Sequence, residues 1–191
     1  MLFKQIHKDD PLLPAFMREC DDRGFANNVS VKSLKFDYFE HIFFFAGIED
    51  GKIKVFSGVH EFDMHGERYW RCGFRGATVD VKQKPSRNLR KNSLNVGINF
   101  FLQMQTVEKH FGDSKFVMTS NSQDSIDGAG RSHAVDRLMK RGIEGVTLLE
   151  ENIEYLYTKQ NVWLLDKDVW KQDFDKYHKG NHIINVPSIK I

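Results

Sequence analysis

The segment HIFFFAGIEDGKIKVFSGVHEF, from His41 to Phe62, is two β-rich runs separated by Glu-Asp-Gly. Ile, Val and Phe dominate both runs, and the Asp-Gly between them is turn chemistry, so the segment reads as an antiparallel hairpin. Working outward, DMHGE (63–67) supplies a second turn and RYWRCGFRGATVDV (68–81) a third antiparallel strand. Alternation sets Trp70, Cys72, Phe74, Gly76 and Thr78 on one face of it, and Arg71, Gly73, Arg75, Ala77 and Val79 on the other. Two glycines inside one strand weaken it with no packing return, which points to a bulge or to a ligand or backbone passing close by.

Upstream, LFKQIH (2–7) is a short first strand. Pro11 and Pro14 then open a helix with Leu12, Leu13, Phe16 and Met17 as its apolar stripe, ending near Gly24. ANNVSVKSLKFDYFEH (26–41) fits a short helix or an irregular cover. Downstream, Lys82, Lys84, Arg87, Arg90 and Lys91 surround Pro85 with almost no acid nearby. Leu94, Ile98, Phe101 and Leu102 follow at helical spacing, with Asn92 or Ser93 as the cap, a start near Leu94 and Gly112 as the stop. SKFVMTSN (114–121) reads as a buried strand. AGRSHAVDRLMKRGI (129–143) reads as a helix with Ala134, Val135, Leu138 and Met139 inward and Gly142 as its breaker. VTLLEENIEYLYTKQNVWLLD (146–166) reads as two strands turning at TKQN. The result is an α/β chain with an antiparallel meander, one parallel crossover through a helix, and a terminal strand pair.

Totals restrict what such a chain does. The 191 residues carry a net charge of only +2, so any role for positive charge is local, and the basic bend is the place for it. The aromatic share of 13 %, with sixteen Phe, argues for a full core rather than disorder. Cys20 and Cys72 are too few and too far apart for a disulfide framework, and the N-terminus meets charge and proline too early for a signal peptide. No apolar run approaches the ~20 residues needed to cross a bilayer. A cytoplasmic protein with no membrane association is expected.

The element order over 2–166 resembles the GCN5-related N-acetyltransferase family. The match is carried by AGIEDGKIKVFSGVHEF, similar to that family's second and third strands. FVMTSN and AVDRLMKRGI are similar to its fifth strand and the helix that follows. The resemblance implies a single acyl-CoA N-acyltransferase domain over 1–166, and the remaining 167–191 are expected to be a C-terminal extension packed on it or partly mobile. It implies acetyl-CoA as co-substrate, no metal, and a small-molecule or peptide amine as acceptor. It places Ala77, Thr78, Val79 and Val81 along pantetheine, Arg87, Asn88, Arg90, Lys91 and Asn92 at the pyrophosphate, and Asn121 beside the thioester arm. A basic bend leading into a helix also suits phosphate physically, through free backbone N–H groups, the helix dipole and bidentate donors.

Two departures stand out. The family's glycine-rich loop is replaced by RNLRKNSLNVG (87–97), and its tyrosine falls on Leu138, with Ile143 in place of the following Phe. For chemistry, the general base expected is Glu61 in VHEFD, with His60 on the opposite face of that strand; the acid is His133 or Tyr157, and spacing selects neither. HEFDMH (60–65) lacks ligand spacing for a metal. RYWRCGFRG (68–76) interleaves Arg with aromatics, as a single-stranded nucleic-acid platform would, but alternation turns its rings toward a core. A family relative that binds without catalysing, and a nucleic-acid binder, are the alternative readings. Oligomeric state is left open.

Overall fold

The computed structural model describes residues 1–22, 42–77, 85–122, 136, 139–155, 158–169, 171–172 and 183–184, with side chains for all of these except 20–22, 42, 73–77, 85–96 and 183–184. An eight-stranded sheet carries the chain: β1 (Leu2–Ile6), β2 (Ile42–Glu49), β3 (Lys52–Met64), β4 (Glu67–Ala77), β5 (Phe116–Asn121), β6 (Val146–Tyr155), β7 (Thr158–Leu165) and β8 (Ile183–Ile184). Their order across the sheet is β6-β7-β5-β4-β3-β2-β1-β8.

The meander expected from the sequence is present, and its turns explain its register. Glu49 pairs with Lys52 and Met64 with Glu67, so each connection has two residues. Asp50 and Gly51 have φ of 52° and 67°, His65 and Gly66 56° and 77°, which is the positive-φ pair that matches the twist of a tight hairpin. Gly47 has another reason to be glycine. A Cβ there would lie 2.6 Å from Val55 Cγ2 and 2.7 Å from Met1 Sδ.

Two long helices flank the sheet on opposite faces. Helix α1 (Leu12–Asp22) is capped by Asp10, whose Oδ1 accepts the Leu12 N–H at 2.9 Å while Oδ2 pairs with Lys4 at 2.6 Å. It packs Leu13 and Phe16 on Phe44, Ala46, Ile48 and Phe56. Helix α2 (Pro85–Phe111) makes the crossover from β4 to β5, which run parallel. It packs Phe100, Phe101, Met104 and Val107 on Val59, Trp70, Phe116 and Met118, and Ile98 and Leu102 on Phe3 and Val55.

Buried polar groups bolt α2 to the sheet. Asn99 Nδ2 donates to Phe45 O at 3.1 Å and to Ser57 Oγ at 2.7 Å, and Ser57 Oγ in turn bonds Gln103 Oε1. Because a shift of one residue along the helix would break these bonds, they fix where α2 begins relative to the strands.

Two expectations are corrected. Helix α2 begins at Pro85 rather than near Leu94, because proline's fixed φ suits a first helical position. Arg87, Asn88, Arg90, Lys91 and Asn92 therefore lie in the first turns of the helix, not in a bend before it. The last hairpin does not turn at TKQN: Tyr155 pairs with Thr158, and Lys159 to Asn161 lie within β7. Beyond 166, β8 pairs in parallel with β1. The segment 26–41, read as helix or cover, lies outside the described residues.

The end of β5 is held by a second buried network. Asp136, fully buried and helical, accepts from Ser120 Oγ at 3.0 Å and Asn161 Nδ2 at 2.7 Å, and Ser120 Oγ accepts from Trp163 Nε1 at 2.8 Å. Asn161 Oδ1 also takes the backbone N–H of Asn152 at 3.0 Å. Asn152 sits at φ 59° within β6, where the pairing with β7 shifts register twice. Its N–H, diverted from the ladder, is thus satisfied by a side chain.

Candidate functional site

The feature that organises the site is where β4 and β5 separate. They pair only as Trp70↔Phe116 and Arg71↔Val117; beyond that rung β4 runs on to Ala77 and β5 to Asn121 with no further pair between them. On its other side β4 stays with β3 through Ala77. A bulge lies just past the rung: Cys72 pairs with Val59 and Phe74 with Gly58, leaving Gly73 without a partner. The extra residue increases local twist and carries β4 away from β5. The glycines noted in this strand thus include a bulge position.

Among the described residues, no strand pairs with the β4 edge from Gly73 to Ala77 on the β5 side. Unpaired strand edges present N–H and C=O groups in a row, ready for an extended chain of amides. Helix α2 is the next described element after β4, and its first turn has no acid. Arg87 there, with Arg90 and Lys91 at helical spacing one turn on, puts positive charge at the positive end of a helix dipole. That placement is unfavourable for the helix alone and favourable with an anion.

At the parting rung, on the α1 side of the sheet, four strands contribute one side chain each. Arg71 of β4 donates from Nε and Nη2 to Thr119 Oγ1 of β5, at 2.9 and 2.7 Å. Its guanidinium carbon lies 4.7 Å from the centre of the Tyr155 ring of β6. Tyr155 Oη is 3.2 Å from His60 Nε2 of β3, and His60 is the direct cross-strand partner of Arg71. All four are half-buried. Burial, and then the Arg71 charge, push the His60 pKa down to about 4, so the imidazole is neutral at pH 7. Burial also lowers the pKa of Arg71.

Of the residues singled out in the sequence, Glu61 lies on the other face. It is the cross-strand partner of Trp70, and its exposed carboxylate reaches Arg68 at 3.5 Å. Asn121 is the last residue of β5, half-buried and paired with Gln160. Ala77 ends β4 at the open edge. Thr78, Val79, Val81, His133, Leu138 and Tyr157 lie outside the described residues, and for Arg87, Asn88, Arg90, Lys91 and Asn92 the structure describes the helical backbone. Arg71, Thr119 and Tyr155 were missed. The alternation of β4 does turn Arg71 away from the Trp70 face, but nothing local in the sequence brings Tyr155 to it. Among the described residues, no three His, Cys, Asp or Glu side chains are grouped as metal ligands, and no helix is long and apolar enough to cross a membrane.

Solved structures share this fold. A crystal structure assigned to the GNAT acetyltransferase family from Desulfovibrio desulfuricans matches 86 % of this chain and 98 % of its own, at 10 % identity and a TM-score of 0.56. The fold is that of the GCN5-related N-acetyltransferases, or GNAT fold. A chain of the DNA-bound AtaT–AtaR complex matches over 91 % of this chain and 99 % of its own, at 6 % identity and a TM-score of 0.52. No family model and no curated protein matches in sequence. At such identities the likeness speaks for the GNAT fold and leaves the chemistry to the residues.

Proposed function

We propose that the protein is an N-acetyltransferase that moves an acetyl group from acetyl-CoA to an amine on a small molecule or peptide. The observation that carries this reading is the parting of β4 from β5 in a chain of GNAT order, with a helix of basic N-terminal sequence as the next described element. The residues fit the donor in kind. An open β4 edge ending at Ala77 suits the amides of pantetheine, and the family resemblance adds Thr78, Val79 and Val81 to that role. The first turns of α2, with Arg87, Asn88, Arg90, Lys91 and Asn92, suit a pyrophosphate. Asn121 lies at the far lip of the opening.

The thioester would supply an activated acyl group, so the C–N bond forms as the C–S bond breaks. The protein has to take one proton from the amine and return one to the thiolate. We assign the first task to His60, because it is unprotonated at pH 7 and lies at the parting rung, with Tyr155 as the phenol that passes a proton to or from it. Glu61, on the opposite face, is the second candidate for the base, and His133 and Tyr157 remain candidates for the acid. Comparing His60→Gln with Glu61→Gln separates the two bases. The expected outcome is a fall in kcat of roughly 100-fold or more for His60→Gln and a smaller one for Glu61→Gln; the reverse order would return the role to Glu61.

A thermal-shift titration with acetyl-CoA and CoA tests the donor. Free ligand at about 100 times its Kd should stabilise the fold by about 2.7 kcal/mol, and Arg87→Ala/Arg90→Ala should abolish the shift. No shift at millimolar ligand would overturn the acyl-CoA reading and leave the fold as a binding scaffold.

A further inference from the structure

We infer that the acceptor amine also carries a carboxylate, as α-amino acids do, and that Arg71 is the group that binds it. The inference rests on the acetyltransferase reading and adds the substrate class to it.

Arg71 has more donors than described partners. A guanidinium has five N–H donors in a rigid planar fork. Here Nε and Nη2 each give one to Thr119 Oγ1, which leaves three without an acceptor among the described residues. Among the described residues, the groups facing it are His60 from β3, Thr119 from β5 and Tyr155 from β6. None of these is an anion, and no Asp or Glu pairs with Arg71 among the described residues. Desolvating a cation without a counter-ion is costly, and a residue needed only to fill this space between strands would be cheaper as Met or Leu. An arginine kept here, half-exposed and next to an imidazole that stays neutral, is suited to a negative charge that arrives from solution.

Position supports the same conclusion. Arg71 is the last β4 residue paired with β5, so its side chain sits at the root of the opening proposed for the thioester. An acceptor whose carboxylate is held by the guanidinium fork would have its amine a few bonds away, toward the parting strands and His60. The free donors match a carboxylate in bidentate geometry, which orients the acceptor as well as holding it. Thr119 fixes the side of the fork that is not offered.

The test uses the purified protein with saturating CoA and reads binding by thermal shift and calorimetry. The probes are the twenty α-amino acids, each paired with its α-amide. At least one acid should bind at a concentration where its amide does not. Arg71→Gln should then weaken that acid by about 10- to 100-fold, with Arg71→Lys in between because it keeps charge and loses the fork. CoA binding by the variants serves as the check on folding. If Arg71→Gln does not fold, Arg71→Lys and the acid-against-amide comparison on the unaltered protein still decide.

If CoA binds and no acid surpasses its amide, or if Arg71→Gln binds the acid unchanged, the inference is overturned and the acetyltransferase reading stands. If an acid binds through Arg71 but CoA does not bind at all, the carboxylate site stands and the acetyltransferase reading fails. If neither binds, both fail.

Discussion

Trp70→Ala should lower the unfolding free energy by about 3–5 kcal/mol, the cost of deleting a large buried aromatic. Trp70 is 2 % exposed and has Phe111 and Phe43 rings at 4.7 and 5.7 Å between centroids. It is also the β4 residue that pairs with Phe116, and its backbone N–H donates to Lys115 O at 2.8 Å. Its backbone thus ties β4 to the start of β5, while its side chain packs on the end of α2. Chemical denaturation should give the loss directly, and the melting temperature should drop by about 10 °C for a chain of this length. A loss below about 1 kcal/mol would mean that this junction is not where the sheet gets its cohesion. Because the parting of β4 and β5 starts one residue later, donor binding should weaken in the variant even well below its melting point.

The second large effect is on pH. His60 takes a proton near pH 6.5 in the unfolded chain and only near pH 4 in the folded one, owing first to burial and then to Arg71. Between those values the unfolded chain binds more protons, so stability falls as pH falls. The contribution is fully present above pH 6.5, about 2 kcal/mol of it is gone by pH 5, and about 3 kcal/mol by pH 4. Unfolding free energies measured at pH 7, 6 and 5 should therefore decline in the wild type and stay flatter in His60→Gln. Glu67 and Asp113, whose pKa values are lowered by bonds to Lys115 and Lys167, add losses of their own only near and below the ordinary carboxylate range. Equal pH slopes in the two proteins between 7 and 5 would show that His60 titrates normally. Should a carboxylate bind at Arg71, it would offset part of the repulsion and raise the His60 pKa.

The meander was legible because its determinants are local. Asp50-Gly51 and His65-Gly66 dictate two-residue turns, and once those are set the alternation of β3 and β4 assigns faces correctly, Glu61 with Trp70 and His60 with Arg71. Gly112 and Gly142 ended their segments at φ 78° and 90°, as read from the sequence. The start of α2 was misread because charge around Pro85 was weighed as loop chemistry, whereas proline is at home in a first helical turn. Thr158 to Asn161 looked like a turn by composition, but Asn161 is buried and spends its amide on Asp136 and Asn152. Asp136 itself was overlooked in a helix read for its apolar positions, since a buried carboxylate is intelligible only with its donors in view. The cluster at the parting rung depends on contacts from β3, β4, β5 and β6 and on a bulge at Gly73. Sequence spacing carries almost none of that information.

The irregular pairing of β6 has one more consequence. Among the described residues β6 ends the sheet and exposes Leu148 and Leu149, so a regular edge there would be an invitation to a strand from another molecule. Its two register shifts and the left-handed turn at Asn152 break the row of edge amides into short pieces. A strand approaching edge-on meets no continuous ladder. The same distortion that brings Tyr155 and Asn152 to their partners thus makes this edge a poor template for another strand.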